Sequence, residues 1–301
     1  DVQKKLVIRF AGPLFEQLEF ERIHILPWSV TLERFRAGYA GATFSGDTLV
    51  ARFCLSSLIG HTVAVKALSA RGITVDLREF TPPPSPPPTG PFPGVFASLD
   101  HGLDIELGEV NIDAYVQLSA NDILTLTITG GDIAPDTAGA LAFAGRYTAQ
   151  ATDTIDFSGN IELDQLDRGR FNTIAMHVDS DIGLAALPQA EHLRLAVTLQ
   201  PTADPTRHAI ESDDGDVHFE PQPESINVKL FSHDGLGGPR AEFSLNALYD
   251  GLNGTLAGPY TLTSSDRFVA PYAGDSALPG FTHSAEGHVF VDTQDGSVTA
   301  N

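Results

Sequence analysis

Apolar residues recur at every second position through most of this chain. Leu103, Ile105 and Leu107 alternate with Asp104 and Glu106, and after Gly108 the series resumes in the opposite phase as Val110, Ile112, Ala114, Val116 and Leu118. A period of two puts one set of side chains on one face of a strand, so this stretch reads as a strand, a turn or bulge, and a second strand. Leu124, Leu126 and Ile128 continue the pattern, followed by Ile155, Phe157, Gly159, Ile161 and Leu163. Later runs are Leu193, Leu195, Val197 and Leu199; Ile226, Val228 and Leu230; and Phe243, Leu245, Ala247 and Tyr249. Each interleaves largely with polar or small residues, the pattern of antiparallel sheet with one wet face. Gly130-Gly131, Asp136, Asp167-Arg168-Gly169, Gly237-Gly238 and Asn253-Gly254 read as turn punctuation between the runs. Helical signals are short: Leu55, Leu58 and Ile59 could line one turn before Gly60, and Leu14, Phe15 and Leu18 fit either period. The expectation is an all-β protein with few short helices.

Proline and charge divide the chain. Eight of its 20 prolines fall between Pro82 and Pro93, in the run TPPPSPPPTGPFP. Proline has no N–H for a sheet ladder and favours a stiff extended conformation, so the run reads as a linker. Residues 1–80 carry 10 Lys and Arg against 8 Asp and Glu, and residues 81–301 carry 8 against 31. The expected organisation is an N-terminal β module over 1–80, a Pro-rich linker over 81–94 and an extended β-sheet region over 95–301. A net charge of −21 argues against a nucleic-acid partner. One cysteine, Cys54, excludes an internal disulfide framework. The longest apolar stretches are interrupted by charges and too short to span a bilayer, and the chain opens at Asp1 without a signal pattern, so any export signal or anchor is expected upstream.

Chemical motifs are sparse. GDSAL at Gly274–Leu278 matches the short nucleophile motif of esterase-type hydrolases, with Ser276 as nucleophile, but only His283 and His288 follow it. Pairs such as Asp100-His101 and His233-Asp234 sit in turn-like contexts, and no zinc spacing occurs. Asp213-Asp214-Gly215-Asp216 lacks the closing Glu of a calcium loop, and Cys54 reads as an apolar filler. No catalytic residue, metal site or cofactor is expected.

The segment Asp47–Leu77, DTLVARFCLSSLIGHTVAVKALSARGITVDL, reads as strand, short helical turn, Gly, strand, Gly, strand. With Leu55, Leu58, Ile59, Gly60, Val63, Val65, Leu68, Gly72, Ile73, Val75 and Leu77 in the matching places, it resembles the N-terminal module of the AsmA-like, TamB-like bacterial envelope proteins. The proline-rich interruption and the following Gly102–Leu118 also resemble that family, while the part after about residue 200 is less regular. The resemblance implies an elongated, curled, mainly antiparallel sheet with an apolar, groove-like concave face. It further implies a non-enzymatic scaffold in the periplasm or envelope of a Gram-negative-type bacterium, with membrane association through an anchor outside this chain. Its partners would be phospholipid acyl chains and other envelope membrane proteins, its role outer-membrane assembly. Candidate lining residues are Leu103, Ile105, Leu107, Val110, Ile112, Val116, Leu118, Leu124, Leu126, Ile128, Ile155, Phe157, Ile161 and Leu163. Two alternatives stay open: an extracellular or periplasmic β-sandwich acting as a binding or adhesive module, for which Trp28 offers the only tryptophan, and an esterase-type hydrolase using Ser276. Alternation alone does not separate a groove from a packed core.

Overall fold

The computed structural model describes residues 17–54, 62–81, 95–96, 104–149, 153–165, 171–183, 191–202, 209–211, 217–219, 223–233, 239–265, 282–293 and 297–300. The early strands are β1 (Gln17–Leu26), β2 (Ser29–Tyr39), β3 (Ala42–Cys54), β4 (Thr62–Asp76), β5 (Asp104–Gln117), β6 (Ile123–Ile133), β7 (Thr137–Ala149) and β8 (Asp153–Gln165). Then come β9 (Phe171–Gly183), β10 (Glu191–Pro201), β11 (Ala209–Glu211), β12 (Val217–Phe219), β13 (Glu224–His233) and β14 (Pro239–Asp250). The last are β15 (Thr255–Ser265), β16 (Thr282–Asp292) and β17 (Ser297–Ala300). Fifteen strands form one open sheet in chain order, with β11 and β12 as a separate two-stranded hairpin between β10 and β13. The protein is all-β and mainly antiparallel. Helical backbone among the described residues is confined to Val95 and Phe96.

One ladder departs from the antiparallel rule: β4 and β5 run parallel, with Thr62 opposite Asp104 and Ala70 opposite Ile112. Parallel neighbours need a crossover of a dozen or more residues, and the proline-rich run lies in the connection between these two strands. Two compact units result, Asp1–Pro87 with Leu103–Ser158 and Pro88–Gly102 with Gly159–Asn301.

In the first unit, register turns local alternation into continuous rows. Ile23, Leu32, Leu49, Ala70, Ile112, Ile128 and Phe143 stand opposite one another from β1 to β7. Leu18, Ala37, Phe44, Val75, Val116, Leu124 and Tyr147 form another such row. The other face carries Glu19, Arg36, Ser45, Thr74, Tyr115, Thr125 and Arg146. Cross-strand ion pairs include Arg22 with Glu33 at 3.6 Å, Arg34 with Glu21, and Lys66 with Glu106 at 2.6 Å. Such exposed pairs are screened by water and contribute little, so they tune register and solubility while apolar burial supplies most of the stability.

The rows stay on one face only because the strands change phase together. In β1 the inward positions step from Phe20 to Ile23, in β2 from Phe35 to Leu32, in β3 from Gly46 to Leu49 and in β4 from Ile73 to Ala70. Two successive residues therefore face outward in each strand: Glu21-Arg22, Glu33-Arg34, Asp47-Thr48 and Arg71-Gly72. Arg34 and Gly72 take positive φ at this line, 45° and 60°. The β4–β5 ladder absorbs the offset through an irregularity between Ala70 and Ile73. A second step crosses β4, β5 and β6, where Val65 to Leu68, Leu107 to Val110 and Gly130 to Ile133 each skip a residue.

That second step revises the expected turns. Gly108 lies inside β5: of the expected turn or bulge it is the bulge, and the phase change falls within one strand rather than between two. Gly130 and Gly131 likewise sit within β6, with φ of 125° and 137°, and Gly72 is a bulge position within β4. A methyl on Gly131 would overlap the Gly108 carbonyl oxygen and lie 2.5 Å from its carbon, so glycine is needed here for the close approach of two strands. Asp136 and Asn253-Gly254 do form turns, between β6 and β7 and between β14 and β15. The expected helical turn at Leu55–Ile59 and the turns at Asp167–Gly169 and Gly237–Gly238 lie outside the described residues.

In the second unit, Val178, Leu195, Leu230, Phe243 and Leu262 make one row and Met176, Val197, Val228, Leu245 and Tyr260 the next. The Phe243 and Tyr260 rings stack at 6.5 Å. On the opposite face Arg194 bonds Asp179 at 2.7 Å and His192 meets Asp181 at 2.8 Å.

The polar decoration sets an acid response. Arg78 holds the Asp76 carboxyl down to about 2, and the guanidinium groups of Arg146 and Arg194 lower Asp156 and Asp179. A carboxyl lowered on folding contributes stability that is complete above its unfolded value of about 4 and is lost as pH falls through the folded value. The melting temperature is therefore expected to drop between about pH 4 and pH 2, and Asp76→Asn to flatten the lower part of that drop; circular-dichroism melts across this range that stay level would refute the linkage.

Candidate functional site

The feature that recurs on every strand of the first unit is the apolar face, and its exposure shows what covers it. Of the candidate lining residues, Leu107, Ile112, Val116, Leu124, Leu126, Ile128, Ile155, Phe157, Ile161 and Leu163 are all half-buried. Val110 is buried at 4% and Leu118 is 40% exposed, while Leu103 and the side chain of Ile105 lie outside the described residues. A facing sheet packs about 10 Å away and covers the tips of such side chains. Neighbours within one sheet, about 4.5–5.5 Å apart across strands, cover the flanks and leave the tips accessible. Uniform half-burial of large aliphatic residues is the second situation, and among the described residues the only other sheet is the short β11–β12 hairpin.

Register brings most of the candidates together. Ile112 faces Ile128, Val116 faces Leu124, and Leu126 faces Ala114. Phe157 on β8 lies over Gly145 of β7, where an added methyl would sit 2.6 Å from its Cζ, and its ring tilts against Phe143 at 6.3 Å. Ile161 and Leu163 continue β8 in the second unit. The face also includes residues outside the expected set: Phe35 and Ile73 meet over Gly46, at 2.7 and 2.6 Å from where its methyl would be. Leu141, Phe143 and Tyr147 of β7 were legible as a period-two series, diluted by the intervening Ala and Gly residues.

One end of the second unit's apolar face has a built polar anchor. Glu224 begins β13 and is 2% exposed. Its Oε2 accepts the Val95 N–H at 3.0 Å and its Oε1 accepts the Phe96 N–H at 2.8 Å, and Phe96 itself is 1% exposed. A buried carboxylate with two amide donors is satisfied by strong charge-assisted bonds. No local motif announces this contact, because its donors are backbone groups far away in sequence.

Ser276, Asp213–Asp216 and Asp100-His101 lie outside the described residues. His283 and His288, five positions apart on β16, point to opposite faces by the strand period. Cys54 is half-buried. Among the described residues no cluster of His, Cys, Asp or Glu could hold a metal, and no helix is long and apolar enough to cross a membrane. Asp76, Asp156, Asp179 and Asp250 are held below the ordinary carboxylate range, the reverse of the upward shift a general acid needs. A polar depression of about 760 Å³ follows the first phase step, but its Arg34 is already paired with Glu21. Trp28, 60% exposed beside Leu26 at the β1–β2 turn, makes no ring contact among the described residues. Comparison with known families, curated proteins and solved structures finds no match to this chain.

Proposed function

We propose that this chain is a non-enzymatic envelope scaffold that binds or conducts phospholipid acyl chains along its apolar sheet face, in the periplasm of a Gram-negative-type bacterium, in support of outer-membrane assembly. The observation that carries the reading is the half-buried apolar face, with unbroken rows across β1 to β7 and a charged opposite face. Hydrocarbon laid on such a face gains about 0.8 kcal/mol per methylene removed from water and needs no catalyst. The envelope setting, the phospholipid and the assembly role in this reading come from the sequence resemblance to AsmA-like proteins, with which the apolar face is compatible.

Native mass spectrometry of the chain purified from a Gram-negative host is expected to show bound phospholipid. Ile112→Asp with Ile128→Asp places two like charges opposite each other on the apolar face and should remove most of that lipid. Thr125→Asp on the wet face should not. A reproducibly lipid-free parent chain, or a double variant that keeps its lipid, would overturn the proposal.

A further inference from the structure

The apolar face of the second unit has unlike ends. At the start of β13 it is closed by the Val95–Phe96 turn on Glu224. At the far end of the same strand the row reads Ser180, Leu193, Ser232, Ala241, Ser264, with hydroxyls where the preceding rows carry aliphatic groups. Ser232 is 4% exposed, and its Oγ has no hydrogen-bond partner among the described residues. Ser180 by contrast reaches the Leu193 carbonyl at 3.5 Å. A buried hydroxyl left unmade is costly, so this donor on an otherwise apolar face is suited to a ligand that brings an acceptor.

Resting on the acyl-chain reading above, we infer that the Ser232 end is a subsite for the ester carbonyl of an acyl lipid, whose chain lies along β13 toward Phe96. The polarity fits an ester better than a charged headgroup: the row supplies neutral hydroxyls and no Lys or Arg. Length fits as well. Eight residues of strand from Ser232 to Glu224 span about 26 Å, more than the roughly 15 Å of hydrocarbon in one leaflet. The serine row holds the polar end of the chain, and the strand is long enough for the whole tail to lie along it short of Phe96.

The test uses the full chain and two probes of equal chain length, methyl hexadecanoate and hexadecane, each displacing a bound environment-sensitive dye. The parent should favour the ester by about tenfold, the order of effect of one hydrogen bond from a buried donor. Ser232→Val should abolish that preference, so that the two probes bind with equal affinity, and Ser232→Ala carries the same test if valine disturbs the strand. Ser265→Ala, which removes the other buried unpartnered hydroxyl at the neighbouring position, should keep the preference. Equal affinity for both probes in the parent, or an ester preference surviving in both Ser232 variants, overturns the subsite and leaves the apolar-face reading intact. Failure of both probes to bind overturns that reading, and the subsite with it.

Discussion

Gly131→Ala should destabilise the first unit by about 4 kcal/mol, read as a large fall in the urea midpoint. Two costs add. The residue holds φ at 137°, where a Cβ is strained by about 1–3 kcal/mol, and the methyl would collide with the Gly108 carbonyl, which is backbone and cannot swing aside. Relief requires moving β5 away from β6 at the point where both strands change phase. Gly38→Ala is the matched control: its methyl would lie 3.5 Å from Gln17 Cβ, an ordinary contact, so its effect should stay within about 1 kcal/mol. An unchanged midpoint in Gly131→Ala would refute the close approach.

Glu224→Ala should cost about 3 kcal/mol and free the segment it holds. Removing the carboxylate takes its acceptor from the N–H groups of half-buried Val95 and buried Phe96, a loss of about 1–3 kcal/mol apiece. Hydrogen exchange separates this from a general loss of stability: the amides of Val95 and Phe96 should exchange quickly, while those in the middle of β13 and β14 keep their protection. Glu224→Gln retains one acceptor oxygen and should fall between parent and alanine variant. Slow exchange at Phe96 in Glu224→Ala would show that something other than the carboxylate holds the turn.

How far these features could be read from sequence depends on the range of the interaction behind each. Strand identity is local, so the alternating sets around Ile112, Leu126, Phe157, Leu195, Val228 and Leu245 locate β5, β6, β8, β10, β13 and β14 directly. Alternation at Leu141, Phe143 and Tyr147 was equally regular, but Ala and Gly between them weakened the signal for β7. Glycine was ambiguous for a physical reason. The same missing Cβ permits a turn at Gly254 and a close strand approach at Gly131, and only the partner strand distinguishes the two. The parallel β4–β5 ladder follows from a long crossover whose course has no residue code. Most candidate lining residues could be named because a face needs only periodicity. Glu224 could not, since its partners are main-chain amides that any sequence would supply.

The shared phase step of β1 to β4 has a consequence for how such a chain can change over generations. Deleting one residue at Arg34 alone would restore strict alternation to β2 but leave it one residue short of its neighbours: with Phe35 held opposite Phe20, Leu32 and Val30 would fall opposite the outward Arg22 and His24 in place of Ile23 and Ile25. The same holds for each of the other three strands. The step can be gained or lost only by matched changes in all four, so these strands are inherited as one unit of length as well as of sequence. At β5, where the parallel ladder takes up the offset between Ala70 and Ile73, that constraint ends, and strands beyond it are free of this particular bond.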